Sequence, residues 1–326
     1  MESQHSEPAD TNDGHRRNFG EARRQLAAAM IRLSKMPKTT PDGLDPDFVA
    51  SRLVSLEIDA RKHGQVDSPL PPWLVFHLGH MYFRSLDIHL QADDHWTDEV
   101  RCDYFESSQQ FVLRWNSKPR EVLRTELRSS LHAHLRSLHG HWPDTAAGRF
   151  AQENRYCGYV AVKSVSDIFS KRHDPDIALG HPSARYPGVI IEVVGSEKGN
   201  ALEQHANEYL WHSGGQIRVM VGIKTEFSDE KGNKNKKATF CVWKSQSTTQ
   251  DGKQSVHAAC TVSEVMFRNE EGVPNLDAEL RFSLSDFAAP AVIKGFDPFI
   301  DHTIPITAGE LCAYLKKAEK FETTTD

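Results

Sequence analysis

The chain has 326 residues, a formal net charge of −6 and 38% hydrophobic residues. That length suits one large domain or two modest ones with a real core, with some of the chain expected to be disordered. The acidic balance excludes a global basic field for nucleic acid and leaves only a local patch. No run of about 18 apolar residues occurs, so no membrane span is expected.

Residues 1–16 are polar and lack a signal-peptide core, and their composition predicts a disordered tail. Leu26, Met30 and Leu33 recur at helical spacing within 18–35, and Met36-Pro37 ends that helix. Asp47 can cap a second helix running to about Lys62. The aromatic-rich run 73–91 predicts a buried helix, and 98–115 and 119–139 predict two more, with Pro119 suited to a first turn.

From about residue 155 the texture changes to short β-branched runs bounded by turn residues: YCGYVAV, VIIEVV (189–194) and IRVMVGI. Between the last two, NALEQHANEYLWHSGG has a helical period and ends at Gly214-Gly215. TFCVWK, HAACTVSEVMF and ELRFSLSDF predict further strands, and SDEKGNKNKK (228–237) a polar hairpin tip. Thr307 and Glu310 form a capping box for a last helix over 307–320. The five cysteines are scattered, with no CxxC pair, which fits a reducing compartment: an intracellular protein of nucleus or cytoplasm.

The chemistry-bearing stretch is 173–198. Pro175-Asp176 is followed after 15 residues by Glu192, at the end of Val189-Ile190-Ile191. Two adjacent strands would bring both carboxylates to one sheet edge. Strand alternation puts Glu192 and Val194 on one face, to which Asp176 can also point. Such a pair can hold Mg²⁺ or Mn²⁺, which polarises a phosphodiester and activates a water.

This run resembles the Pro-Asp…(Asp/Glu)-X-Lys motif of the restriction-endonuclease-like superfamily of metal-dependent nucleases, and it is similar to fungal members of that group. The segments that carry the resemblance are PDIALG, VIIEVVGSEK, NALEQHANEYLW, SGG and QIRVMVGIKTEF, with LRFSLSDF and IPITAGELCAYLKKAEK behind them. The resemblance implies an α/β fold with an αβββαβ core, a mixed central sheet flanked by helices, over residues 141–320. A mostly α-helical N-terminal region (17–140) would precede it and a short tail (321–326) follow it. It also implies a metal-dependent endonuclease with Asp176 and Glu192 as metal ligands, Glu153 as an auxiliary acid on the first core helix, and a lysine two residues after Glu192.

Val194 occupies that lysine position and supplies no charge. Lys198 at the following turn, Gln204 or His205 on the next helix, and Lys163 on an earlier strand are the substitutes. The alternative expectation is a catalytically inactive nuclease fold used as a binding or scaffold module. Nucleic acid would be met through Lys231, Lys234, Lys236 and Lys237, the densest basic cluster. His132, His134, His139 and His141 do not form a zinc set, because only His132 and His139 share a helix stripe.

Overall fold

A computed structural model describes residues 73–77, 79–80, 83, 100–106, 108–115, 117–157, 162–163, 172–195, 199–225, 235–250 and 253–321. The helices expected within 18–62, Lys198, and Lys231 and Lys234 of the hairpin tip lie outside these residues, as does the side chain of Lys163. The chain divides into two compact units, Met1–Trp96 with Phe105–Arg114, and Thr97–Tyr104 with Trp115–Asp326.

In the first unit, β1 (Trp73–His77) pairs antiparallel with β3 (Gln110–Trp115), Val75 standing opposite Val112. β2 (Val100–Phe105) precedes β3 in the chain and belongs, up to Tyr104, to the second unit. β2 and β3 correct the helix expected over 98–115, and β1 corrects the start of the one expected over 73–91. His80 and Phe83 are helical, with the Phe83 N–H on the Gly79 carbonyl at 3.0 Å, and the remainder of 78–91 lies outside the described residues apart from Gly79. Apolar residues alternate along Val100, Cys102 and Tyr104, the strand period. The turn at 106–109 carries neither Gly nor Pro to announce it. Gln109 closes it from the left-handed region, φ 50°, with its N–H on the Glu106 carbonyl at 3.2 Å.

The second unit is α/β, built on a six-stranded mixed sheet flanked by helices. Its order is β11-β10-β9-β8-β7-β4, where β4 is Arg155–Tyr156, β7 Ile177–Gly180, β8 Val189–Val194, β9 Val219–Thr225, β10 Ala238–Gln250 and β11 Lys253–Arg268. β8 and β9 run parallel, while the other pairs of this sheet are antiparallel. Register shifts between Phe240 and Val242 and between Val242 and Trp243 bend the β10–β11 ribbon. Apart from this sheet, β5 (Val162–Lys163) pairs with β6 (Arg172–His173), and β6 places His173 opposite Asp103 of β2.

Helix α1 (Lys118–His141) starts where the Ser117 hydroxyl accepts from the Arg120 N–H, with Pro119 in its first turn. Leu123, Leu127, Leu131, Leu135 and Leu138 form its apolar stripe and join one core with Ile177, Val189, Ile191 and Val193. α2 (Ala146–Glu153) is capped by Thr145, whose hydroxyl accepts from Gly148 N–H at 3.0 Å. α3 (Gly199–His212) links β8 to β9 and covers the opposite face. Gly222, the register partner of Glu192, leaves the space there that Leu202 fills, since a Cβ would stand 2.6 Å from Leu202. β12 (Glu279–Ser283) and β13 (Thr303–Thr307) pair antiparallel and lead into α4 (Ala308–Glu319). Leu311 and Leu315 of α4 close the core on the α1 side. No helix among the described residues is long and apolar enough to cross a membrane.

Candidate functional site

Glu192 sits near the end of β8 and Asp176 immediately before β7. The register Ile177 opposite Ile191 brings the two to neighbouring positions at one end of the strand pair, as the spacing predicts. Their carboxylates then part company. Asp176 Oδ2 accepts from the Val193 N–H at 2.7 Å, and Oδ1 lies 3.9 Å from Arg124 Nε of α1. The same Nε donates to the Asp176 carbonyl at 3.0 Å. Glu192, which is fully buried, accepts from the Tyr209 hydroxyl of α3 at 2.7 Å and faces His205 Nδ1 at 4.0 Å. One acid is thus held by the α1 layer and the other by the α3 layer.

Beneath α3 a chain of titratable groups extends from Glu192. His205 Nε2 lies 4.0 Å from Asp103 Oδ2, whose other oxygen is 3.4 Å from His173 Nδ1. His173 Nε2 is 3.8 Å from Glu208 Oε2, which also takes a hydrogen bond from His212. The ring of Tyr209 stands edge-on to His173, with centroids 5.4 Å apart. Burial opposes charge on His173, but the Asp103 and Glu208 carboxylates outweigh it and raise its pKa to about 9. Burial also opposes charge on Glu208, yet hydrogen bonds from His173 and His212 hold it well below the usual carboxylate range.

The raised histidine sets a pH dependence. His173 contributes stability that is complete below its ordinary pKa of 6.5 and is lost as the pH rises through about 9. Denaturant midpoints measured from pH 6 to pH 10 should therefore fall across that window. His173→Asn should lower stability at pH 6 and flatten the fall; an unchanged slope in the variant would refute this assignment.

The remaining expected site residues are dispersed. Glu153 ends α2 and pairs with His181 Nε2 at 3.0 Å, the ion pair it makes among the described residues. Gln204 points to solvent from α3, and the neighbouring His205 is the residue turned to Glu192. Val194 is buried in the sheet. Its register partner is Lys224 of β9, on the Glu192 face by strand alternation and ion-paired with Glu264. Of the lysine cluster, Lys236 is half-buried and Lys237 exposed. On α1, His134 and His141 contact the carbonyls of Ser130 and Ser137 within their own helix, and His139 contacts that of Gly148.

Mg²⁺ requires several oxygen ligands converging in near-octahedral geometry. Asp176 and Glu192 direct their oxygens to protein donors in different layers, so the residues present do not fit that ion. No group of three or more His, Cys, Asp or Glu side chains among the described residues could hold a metal.

Sequence reading did not find Asp103, His173 or Glu208. Asp103 and His173 meet only through a strand pairing across 70 positions. His205, Glu208 and His212, at helical spacing, were the signal within reach. No family model, no curated protein and no solved structure matches the chain.

Proposed function

We propose that the second unit is a restriction-endonuclease-like core whose acid pair has been turned to structural use, leaving a binding or scaffold module rather than a hydrolase. The fold reading is supported by the order α1, β4, β7, β8, α3, β9, with α2 inserted before β4 and the β5–β6 pair, which lies apart from this sheet, inserted before β7. It follows an αβββαβ order with two antiparallel pairs and a final parallel one. The functional reading is carried by one observation: Asp176 is tied to Val193 and Arg124, while Glu192 is tied to Tyr209 on the other side of the sheet.

Calorimetric titration with Mn²⁺ tests it. The wild-type chain and Asp176→Asn should give the same, non-saturating heats up to millimolar Mn²⁺, and neither should nick DNA or RNA with Mg²⁺ or Mn²⁺. Saturable Mn²⁺ binding abolished by Asp176→Asn, or cleavage abolished by Glu192→Ala, would overturn the proposal.

Those outcomes define the second reading, a Mg²⁺- or Mn²⁺-dependent endonuclease. Lys224 favours it, because it stands beside Val194 on the Glu192 face and could supply the absent cation. In that case Lys224→Ala should abolish cleavage as fully as Glu192→Ala.

A further inference from the structure

Helix α1 carries a second stripe beside its leucines. Arg120, Arg124, Arg128, His132 and Arg136 recur at every fourth position. Each step of four turns the stripe by about 40° around the helix, so its first members are buried and its last members emerge. Arg120 and Arg124 are buried, and Arg124 is spoken for by Glu121 and Asp176. Arg128 and His132 are half-buried, and Arg136 is exposed.

The emerging end lines a cavity of about 380 Å³. Arg128, Ser129, His132 and Arg136 of α1 form one wall, and Arg155 and Tyr156 of β4 form the other. The Arg128 guanidinium lies over the Tyr156 ring at 4.7 Å, which fixes the orientation of its donor fork. Three arginines, Arg128, Arg136 and Arg155, thus line one concavity, and among the described residues none of the three has an ion-pair partner. Three other arginines of this unit are neutralised within the fold, Arg124 by Glu121, Arg268 by Glu319 and Arg281 by Glu279, while Arg149 and Arg218 donate to backbone carbonyls. No carboxylate is found in the described lining either.

Uncompensated like charges repel one another, and an anion between them removes that repulsion. The guanidinium fork matches a phosphate oxygen pair in bidentate geometry, with the Ser129 hydroxyl as a further donor. The volume lies at the low end of small-molecule sites, so it accommodates a compact ligand. We propose that this cavity binds the phosphomonoester dianion of a small molecule. The inference is independent of whether Asp176 and Glu192 hold a metal, since neither lines the cavity.

Titration of the full chain with inorganic phosphate, adenosine monophosphate and adenosine tests it. Phosphate and adenosine monophosphate should bind, and adenosine should not. Added sodium chloride should weaken both anions. Arg136→Gln/Arg155→Gln changes two exposed side chains, so the variant stays folded by thermal melt. It should weaken phosphate binding at least about tenfold, whereas Arg281→Gln, at an exposed position on β12, should leave it unchanged. Equal phosphate affinity in wild type and the folded double variant, or adenosine binding as well as its monophosphate, would refute the site. A 5′-phosphorylated oligonucleotide binding at least about tenfold more tightly than adenosine monophosphate would overturn the small-molecule assignment.

Discussion

Gly188→Ala is expected to cost at least about 3 kcal/mol of stability, at the upper end of what overpacking a core does. A Cβ at residue 188 would stand 2.1 Å from the Phe287 carbonyl carbon and 2.4 Å from the carbonyl oxygens of Asp286 and Phe287. Those are backbone atoms, so no rotamer change relieves the clash. The glycine cannot retreat either. Its own carbonyl accepts from Arg218 N–H at 2.8 Å and Val219 N–H at 3.1 Å, which sets the register of β8 against β9. Gly140 provides the contrast. It lies within α1 with nothing within 4 Å of its missing Cβ, so Gly140→Ala should be neutral or stabilise by up to about 1 kcal/mol. Urea midpoints of the two variants check both statements, and a loss below about 1 kcal/mol for Gly188→Ala would refute the first.

The second large effect belongs to Arg124. Arg124→Ala should destabilise the fold by about 3–5 kcal/mol, the cost of stripping a buried charge of its partner. Arg124 bridges Asp176 through both backbone and side chain, and its Nη1 meets Glu121 at 2.9 Å. Its removal takes the neighbouring guanidinium away from the buried Asp176 carboxylate, which still accepts from the Val193 N–H. Asp176→Asn keeps an oxygen for that N–H and discards the charge. The double variant Arg124→Ala/Asp176→Asn should therefore lose clearly less than the two single losses added together. Strict additivity would show that Asp176 answers to something other than Arg124, and so would count against a structural role for the acid.

Much of the second unit is legible in the sequence because its signals are local. The leucines of α1, the Thr307–Glu310 capping box and the apolar run of β8 each state their own structure, and both hydrogen bonds of the capping box are present. Gly214 and Gly215 end α3 with φ of 62° and 76°, and Gly215 N–H closes back on the Leu210 carbonyl at 3.0 Å. The neighbouring positions of Asp176 and Glu192 were also legible, since strand pairing and a short connection suffice to set them. The direction of the Asp176 side chain was not. Asp176 precedes β7 rather than lying in it, so the alternation rule does not govern it. Val193 N–H and Arg124, 17 and 52 positions away, capture it instead. The same holds for Asp103 and His173, brought together by a strand pair that has no local signature. The strands at 100–105 and 110–115 were missed because the turn at 106–109 between them has no Gly or Pro to mark it.

The margins of the six-stranded sheet bear on how the protein behaves when concentrated. A strand edge is a row of unpaired N–H and C=O groups that a second copy can extend. At one margin of the described sheet, β4 is two residues long and carries the exposed Arg155, too short and too charged to template another chain. At the other margin, β11 is long, but the ribbon it forms with β10 is kinked by register shifts, and Glu264 enters the left-handed region at φ 47°. A flat strand from a neighbouring molecule cannot follow that bend over its full length. Shortness and charge guard one side against aggregation, and curvature guards the other.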